Sequence, residues 1–294
     1  MAVQQPFWRR EASIKYVFLL PAVGWTMLFT IFPLAYSLTI SFFNVRLGKP
    51  WEFINIGNYV RVFSDYRVAD SLWPTLTLVL GTVTTEMVLG MVLALLFHRE
   101  MGERLRRLLR TCLTLPLFAT PVAIGFLSLT IFYEEGGPLN SFMALFGNKI
   151  PWLSHPYWAL LSIFLVETWL SMPFCFLVLL AGLQGLPEEV YEAASLDYSS
   201  QWPLFWKITF PLMLPVITIT FLLRLINACK IFSVPFTLTG GGPGKATEVY
   251  SMLTFYTGLR FFDFGFSSAL AYVLLLAVAL IAVLAFRHMR SAYE

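Results

Sequence analysis

The sequence has few of the residues that carry catalytic or metal chemistry. It contains three cysteines and three histidines in 294 residues, and only 13% of its residues are charged. Cys112, Cys175 and Cys229 lie within apolar runs without metal-ligand spacing, so we interpret them as small apolar side chains. The histidines are dispersed near the ends of those runs. These absences argue against an enzyme with a nucleophile–base pair and against a metal or haem carrier.

A nucleotide-binding signature is also missing. The segment 237–248, TLTGGGPGKATE, is rich in glycine and suggests a phosphate-binding loop, which requires the pattern G-x-x-x-x-G-K-[ST]. Thr239 stands where the first glycine should be, and Ala246 follows Lys245, so the pattern fails twice. We therefore predict that this chain itself binds no cofactor.

Long apolar runs dominate what is present. Hydrophobic residues make up 58% of the sequence, and the mean hydropathy is +0.72. A helix needs about 20 apolar residues to cross the hydrocarbon core of a bilayer. The sequence therefore predicts an all-α, polytopic membrane protein with a single transmembrane domain over 1–294. Its six predicted spans cover about 17–43, 72–97, 111–133, 157–183, 209–234 and 266–286.

The positions of the basic residues predict the orientation of these spans. The richest cluster lies between the second and third spans and comprises Arg99, Arg104, Arg106, Arg107 and Arg110. Positive residues in short loops stay on the cytoplasmic side, so we expect this loop and both termini to be cytoplasmic. Basic residues close to a membrane are interpreted as topology signals and lipid contacts, and no nucleic-acid partner is predicted.

A few ionisable residues lie inside the predicted spans. Glu86 is in the second span, Glu167 shares a helix face with Ser171 in the fourth, and Arg224 shares a face with Asn227 in the fifth. Charges in hydrocarbon are costly and should face the interior, where they suggest a functional site. We expect Arg224 to pair with Glu167, and Glu86 to pair with Ser, Thr or an arginine of a partner subunit. Substrate contact and a structural ion pair both remain open for Glu167 and Arg224.

A polar block, 186–215, separates the fourth and fifth spans and is too elaborate for a simple turn. Pro187 suits a first helical turn, and the carboxylates of Glu188 and Glu189 favour the positive end of the helix dipole. The pattern predicts a short helix, a turn at 197–200 and a second helix that continues into the next span.

This block resembles the EAA signature of binding-protein-dependent ABC-transporter permeases. The matching residues are Glu192, Ala193, Ala194, Asp197, Phe205, Ile208 and Pro211. The resemblance implies a type I ABC importer permease fold, in which a cytoplasmic coupling helix at about 187–198 docks on an ATPase subunit. The coupling residues implied are Glu188, Glu192, Ala193, Ala194 and Asp197. The sequence departs from the family in one respect, because Tyr198 follows Asp197 where a glycine is usual.

Two further patterns are similar to those of maltose-type sugar permeases. They are W-x-x-x-P-[FY] in the fourth span and TGGGP after the fifth. Aligned on them, the resemblance implies substrate contacts at Glu167, Leu170, Ser171, Phe174, Arg224, Asn227 and Ala228. These positions offer the hydrogen-bonding groups and the aromatic face that suit a sugar.

The resemblance also implies the assembly and the location. The chain would be a non-catalytic subunit in the cell membrane of a bacterium or archaeon, forming half of a path that imports an oligosaccharide or glycoside by alternating access. Its implied partners are a second homologous permease, two subunits that bind ATP and Mg²⁺, an extracytoplasmic solute-binding protein, the sugar and membrane lipid.

A secondary transporter or channel is the alternative interpretation. In it, Glu86, Glu167, Arg224 and Lys230 would form a relay for ions or protons. That interpretation leaves the EAA-like block without a role.

Overall fold

The protein is described here by a computed structural model that covers residues 11–98, 102–187, 189–191, 194, 198 and 200–293. Over these residues the chain is mostly helical, as the sequence predicts. Five helical segments are long and apolar enough to cross a membrane, or six if one bent pair counts as a single span. They are Lys15–Ser41, Tyr66–His98, Pro156–Gln184, Gln201–Leu238 and Phe264–Leu284, with Glu103–Phe118 and Pro121–Ile131 as the bent pair.

The elements follow one another with short connections. The first half contains α1 (Glu11–Thr26), a π-helical segment (Met27–Ile31), α2 (Phe32–Ser41), β1 (Phe43–Asn44), β2 (Glu52–Phe53), α3 (Gly57–Ser64), α4 (Tyr66–His98), α5 (Glu103–Thr114), a 3₁₀ turn (Leu115–Phe118), α6 (Pro121–Ile131) and α7 (Pro138–Ala144). The second half contains α8 (Pro156–Gln184), α9 (Gln201–Leu204), a π-helical segment (Phe205–Thr209), α10 (Phe210–Ala228), α11 (Ser233–Leu238), α12 (Tyr250–Phe255), a π-helical segment (Tyr256–Arg260) and α13 (Phe264–Tyr293).

The third apolar run is bent and does not form one straight helix. Glu103–Phe118 and Pro121–Ile131 meet at 103°. Ala119 and Thr120, immediately before Pro121, have extended backbone conformations with ψ of 142° and 137°. The ring of a proline disfavours helical conformation in the residue before it, which explains why the helix stops here. Cys112 is exposed on α5, outside any packed core of the described chain.

The described chain forms two compact units. One consists of Met1–Asp65 with Thr254–Leu274, and the other of Tyr66–Leu253 with Leu275–Glu294. The second unit is organised around α4, α8 and α10, which share a hydrophobic core. Its buried members are Ala94, Phe97, Cys175, Phe176, Leu179, Leu180, Leu183 and Met213.

Small residues set the distance between the helices of this second unit. A Cβ added at Gly90 in α4 would lie 2.8 Å from Cβ of Cys175 in α8, and one at Gly182 would lie 2.8 Å from Cγ1 of Val216 in α10. Membrane helices associate mainly through close packing, which small residues permit. Gly90 therefore permits the close approach of α4 to α8, and Gly182 permits that of α8 to α10.

In the first unit, a two-stranded hairpin and α3 are tied to the start of α13. The hairpin pairs Phe43 with Phe53 and Asn44 with Glu52. Asp263, which is 6% exposed, accepts from Arg46 at 2.9 Å and from Arg61 at 2.8 Å. The two guanidinium groups offset the cost of burying the negative charge of Asp263, because both donate to its Oδ2 atom.

The loop between α6 and α8 is organised by buried polar side chains. The side-chain oxygen of Asn140 accepts from the Trp152 indole and the Ile150 amide, and its amide nitrogen donates to two carbonyl oxygens. Glu134 accepts from the backbone amides of Leu153 and Ser154 at 2.8 and 2.7 Å. These bonds hold the chain in place just before α8 begins.

Candidate functional site

A buried ion pair joins α4 to α10. Arg224 donates from Nε to Oε2 of Glu86 at 2.6 Å and from Nη2 to Oε1 at 3.0 Å. Glu86 is completely buried and Arg224 is 8% exposed. The two parallel bonds match the planar guanidinium to the planar carboxylate, which is the strongest geometry for this pair. The attraction within such a pair offsets the free-energy cost of burying each charge in apolar surroundings.

The expectation that Arg224 pairs with Glu167 is wrong. Its partner is Glu86, for which the sequence predicts a partner among Ser, Thr or an arginine of another subunit. Helical spacing shows which residues share a face, but it does not show which neighbouring helix supplies the acid. Glu86 meets Arg224 because α4 packs directly against α10 as well as against α8.

Glu167 remains close to this pair without bonding to it. Its carboxylate interacts electrostatically with Arg224 and with Glu86, yet no hydrogen bond or ion pair joins it to another residue of the described chain. Its side chain is partly buried on α8. The three helices thus bring together two carboxylates and one guanidinium, and one of the carboxylates is free to accept a hydrogen bond.

Arg224 also retains unused hydrogen-bonding capacity. A guanidinium carries five N–H donors, of which the bonds to Glu86 use one on Nε and one on Nη2. The Nη1 donors make no hydrogen bond within the described chain. Glu86 therefore fixes the orientation of Arg224 while leaving donors available to a ligand.

The other residues predicted to contact the substrate differ in their exposure. Ser171 and Phe174 are partly buried on α8, and Asn227 is exposed on α10, where its amide bonds back to the Leu223 carbonyl oxygen. Leu170 and Ala228 are buried, and Ala228 packs against Val79 and Val83 of α4.

Much of the predicted coupling helix lies outside the described residues. This applies to Glu188, Glu192, Ala193 and Asp197. Residues 189–191 and 194 are helical, and Ala194 is buried.

A contact links this helical stretch to the next span. The Tyr191 hydroxyl donates to Oγ1 of Thr209 at 3.0 Å, and its ring lies 6.2 Å from that of His98 at the end of α4. The Tyr198 amide donates to the Ala194 carbonyl oxygen at 2.9 Å, and residues 197 and 199 on either side of it lie outside the described residues.

A separate cavity of about 810 Å³ lies between the end of α4 and the start of the fifth span. Its walls are mainly apolar and aromatic, with Met87 and Met91 on one side and Trp202, Phe205 and Trp206 on the other. Neither Glu86, Glu167 nor Arg224 lines it. A polar substrate is better matched by the charged cluster than by this cavity.

Long apolar helices around a buried charged cluster are typical of polytopic membrane proteins, in which such a cluster indicates a functional site. Residues 86–291 match the family described as binding-protein-dependent transport system inner membrane component. The chain belongs to this family, whose members are the permease subunits of ATP-driven ABC importers; ATP hydrolysis resides in a separate subunit. The match supports the importer interpretation and gives no support to the ion-relay alternative.

Several curated relatives align over nearly their whole length. The chain is 33% identical to the sulfoquinovosyl glycerol transport system permease protein SmoG of Agrobacterium fabrum, covering 92% of this chain and 90% of that protein. It is 34% identical to the trehalose/maltose transport system permease protein MalF of Thermococcus litoralis, covering 92% of this chain and 93% of that protein. The lactose transport system permease protein LacF of Rhizobium radiobacter is 29% identical, covering 92% of each chain.

Solved structures support the fold. A bacterial ABC transporter involved in the import of the acidic polysaccharide alginate has a chain that superposes with a TM-score of 0.85 at 22% identity, covering 96% of each chain. A chain of the bacterial alginate ABC transporter in complex with an alginate pentasaccharide-bound periplasmic protein superposes with a TM-score of 0.86 at 20% identity, covering 99% of each chain. The chain thus has the predicted type I ABC importer permease fold.

Proposed function

We propose that this permease forms half of a path for an oligosaccharide or glycoside, and that Arg224 and Glu167 contact the sugar. The observation that carries the proposal is the unpaired Glu167 carboxylate beside an Arg224 whose orientation is fixed by Glu86. Sugars present many hydroxyl groups, which donate to carboxylates and accept from guanidinium groups. The names of the curated relatives, which include a trehalose/maltose, a lactose and a sulfoquinovosyl glycerol permease, support a sugar substrate.

In this proposal the residues have different roles. Glu86 is a positioning residue, because it acts through Arg224. Ser171 and Asn227 add hydroxyl and amide groups, and Phe174 offers an aromatic face for the apolar side of a sugar ring. Leu170 and Ala228, which are buried, contribute to the shape of the path and not to its polarity.

We propose further that the polar block couples the path to the ATPase. Glu188, Glu192, Ala193, Ala194 and Asp197 would form the docking surface on the cytoplasmic side, and both termini would lie on the same side. The hydrogen bond from Tyr191 to Thr209 supports this role, because it ties the block to the helix that carries Arg224. Closure of the two ATPases would then open the path towards a sugar-loaded solute-binding protein, and product release would restore the inward-facing state.

The test is sugar uptake by the complete transporter in vesicles, comparing the wild type with Glu167→Gln. Because a hydrogen bond to a charged group contributes about 1.5–3 kcal/mol, loss of the charge should slow uptake by about tenfold or more. Basal ATP hydrolysis should stay unchanged. The matched control is Glu135→Gln, which makes the same change at an exposed loop carboxylate. Normal uptake by Glu167→Gln would show that Glu167 does not contact the sugar. Loss of the assembled complex in this variant would show that Glu167 has a structural role.

A further inference from the structure

The short helix α3 turns its polar face towards the protein and its apolar face outwards. Asn58, which is 3% exposed, donates to the Ser41 carbonyl oxygen at 2.9 Å. Arg61 donates to Asp263 at 2.8 Å. Asn58 and Arg61 thus dock the helix on the protein, and Val62, which is 3% exposed, packs on the same side.

The outward face of α3 is apolar. Ile56, Val60 and Phe63 recur at intervals of four and three residues, so they lie on one side of the helix. They are 56%, 57% and 83% exposed. A helix on the aqueous surface of a protein has the opposite arrangement, with its apolar stripe against the core. This face therefore requires an apolar environment outside the chain.

The docking contacts fix the position of α3 along the spans. Ser41 is the last residue of the first span, and Asp263 immediately precedes the last span, which begins at Phe264. The helix therefore lies where two spans end. With eight residues it is about 12 Å long, which is too short to cross a bilayer. The adjoining α2 also exposes apolar side chains near this end, including Tyr36 and Leu38.

The hairpin that precedes α3 has the composition of a membrane interface. Trp51 and Phe53 are exposed, and both rings contact Phe43. Tryptophan and other amphipathic aromatics concentrate at the level of the lipid headgroups. The exposed Lys49 and the partly exposed Arg46 add positive charge that suits phosphate headgroups.

We propose that α3 is an interfacial helix whose Ile56–Val60–Phe63 face inserts into the bilayer leaflet at the Ser41 end of the first span. The lipid is favoured over a protein partner because the helix is held at the depth of two span ends. Helices with one apolar and one polar face lie in this plane and bury the apolar face by about 5–10 Å. Helix α3 is thereby anchored from both sides, by Asp263 and by lipid.

Site-directed fluorescence quenching tests the proposal in the complete transporter in nanodiscs. Cys112, Cys175 and Cys229 are first replaced by Ala, and a single cysteine is introduced as Phe63→Cys or, for comparison, Lys49→Cys. Each is labelled with a small fluorophore. The label at 63 should be quenched several-fold more strongly by lipid carrying a spin label high on its acyl chain than by aqueous iodide, and the label at 49 should show the reverse. Iodide quenching at 63 as strong as that at 49 would overturn the proposal.

A second measurement avoids the cysteine replacements. A benzophenone amino acid placed at 63 in the otherwise native chain is irradiated in the same nanodiscs, and the adducts are identified by mass spectrometry. Adducts with phospholipid acyl chains are expected. Adducts confined to the solute-binding protein or the second permease would show that α3 docks a protein, and would exclude the lipid contact.

Discussion

Arg224 and Glu86 depend on each other, since both lie in an apolar interior. Arg224→Ala should therefore lower the stability of the subunit by about 3–5 kcal/mol, because it leaves the fully buried Glu86 carboxylate without compensation. Thermal unfolding of the detergent-solubilised complex measures the loss. Asn227→Ala, an exposed change on the same helix, serves as the control and should leave the unfolding temperature nearly unchanged.

The double variant Glu86→Leu with Arg224→Met separates folding from transport. Replacing both members of a buried pair by apolar residues is often neutral or stabilising, so the unfolding temperature should recover. Uptake should not recover if Arg224 contacts the sugar. Full recovery of both properties would assign the pair a structural role alone.

Gly90 controls the contact between α4 and α8. In Gly90→Ala the new Cβ would lie 2.8 Å from Cβ of Cys175 and 3.0 Å from the Phe176 amide nitrogen. The helices must move apart, at a cost of about 1–3 kcal/mol that should appear in thermal unfolding. Gly24→Ala makes the same change where nothing lies within 4 Å, and it should not destabilise the protein. Equal effects at the two sites would contradict the packing argument.

At the scale of elements, Glu134 fixes the loop that leads into α8. Burial alone would raise the pKa of its carboxyl group, but hydrogen bonds from Leu153 and Ser154 outweigh burial and lower the pKa below its ordinary value of 4.5. A lowered pKa stabilises the folded loop at neutral pH. This contribution is lost as the pH falls below about 4.5 and through the lowered pKa.

Hydrogen exchange measures this effect at the Leu153 and Ser154 amides. Their protection should fall on acidification in the wild-type protein. In Glu134→Gln it should be low at neutral pH and should change little on acidification. A wild-type-like pH dependence in Glu134→Gln would show that another group controls the loop.

The sequence predicts the elements better than their internal geometry. Apolar run length located the segments that become α4, α8 and α13, because crossing a bilayer sets a minimum length. Pro116 and Pro121 could have indicated the break in the third run, but prolines also occur within unbroken membrane helices such as α8. The sequence does not predict that the apolar face of α3 points outwards. The pattern of an eight-residue helix shows that one side is apolar, but it does not show which side faces the protein.

For the whole molecule, the central prediction concerns coupling. Glu192→Lys with Asp197→Lys should abolish co-purification of the ATPase, since the proposed docking surface would gain opposite charge. Glu135→Lys, at an exposed loop on the other side of the predicted topology, is the control and should retain the complex. An intact complex in the Glu192 and Asp197 variant would place the docking surface elsewhere.

The candidate site could be predicted in part. The cost of charge in hydrocarbon identified Glu86, Glu167 and Arg224 as a set. The pairing within the set could not be predicted, because it depends on how α4, α8 and α10 pack together. Glycine positions such as Gly90 and Gly182 determine that packing, and their partners lie far away in the chain.

The π-helical segment Phe205–Thr209 lets the fifth span absorb a change in chain length. A segment of this kind accommodates one residue more than a regular helix, and α10 continues from it without interruption to Arg224. Deleting one residue there would let the helix close up regularly, and the helix beyond it would keep its orientation, because the wider turn already absorbs the extra residue. A deletion within α10 before Arg224 has no such turn to absorb it and would rotate Arg224 by about 100°, away from Glu86. Natural variants of this protein should therefore accept a single-residue deletion within Phe205–Thr209 far more readily than one between Phe210 and Arg224.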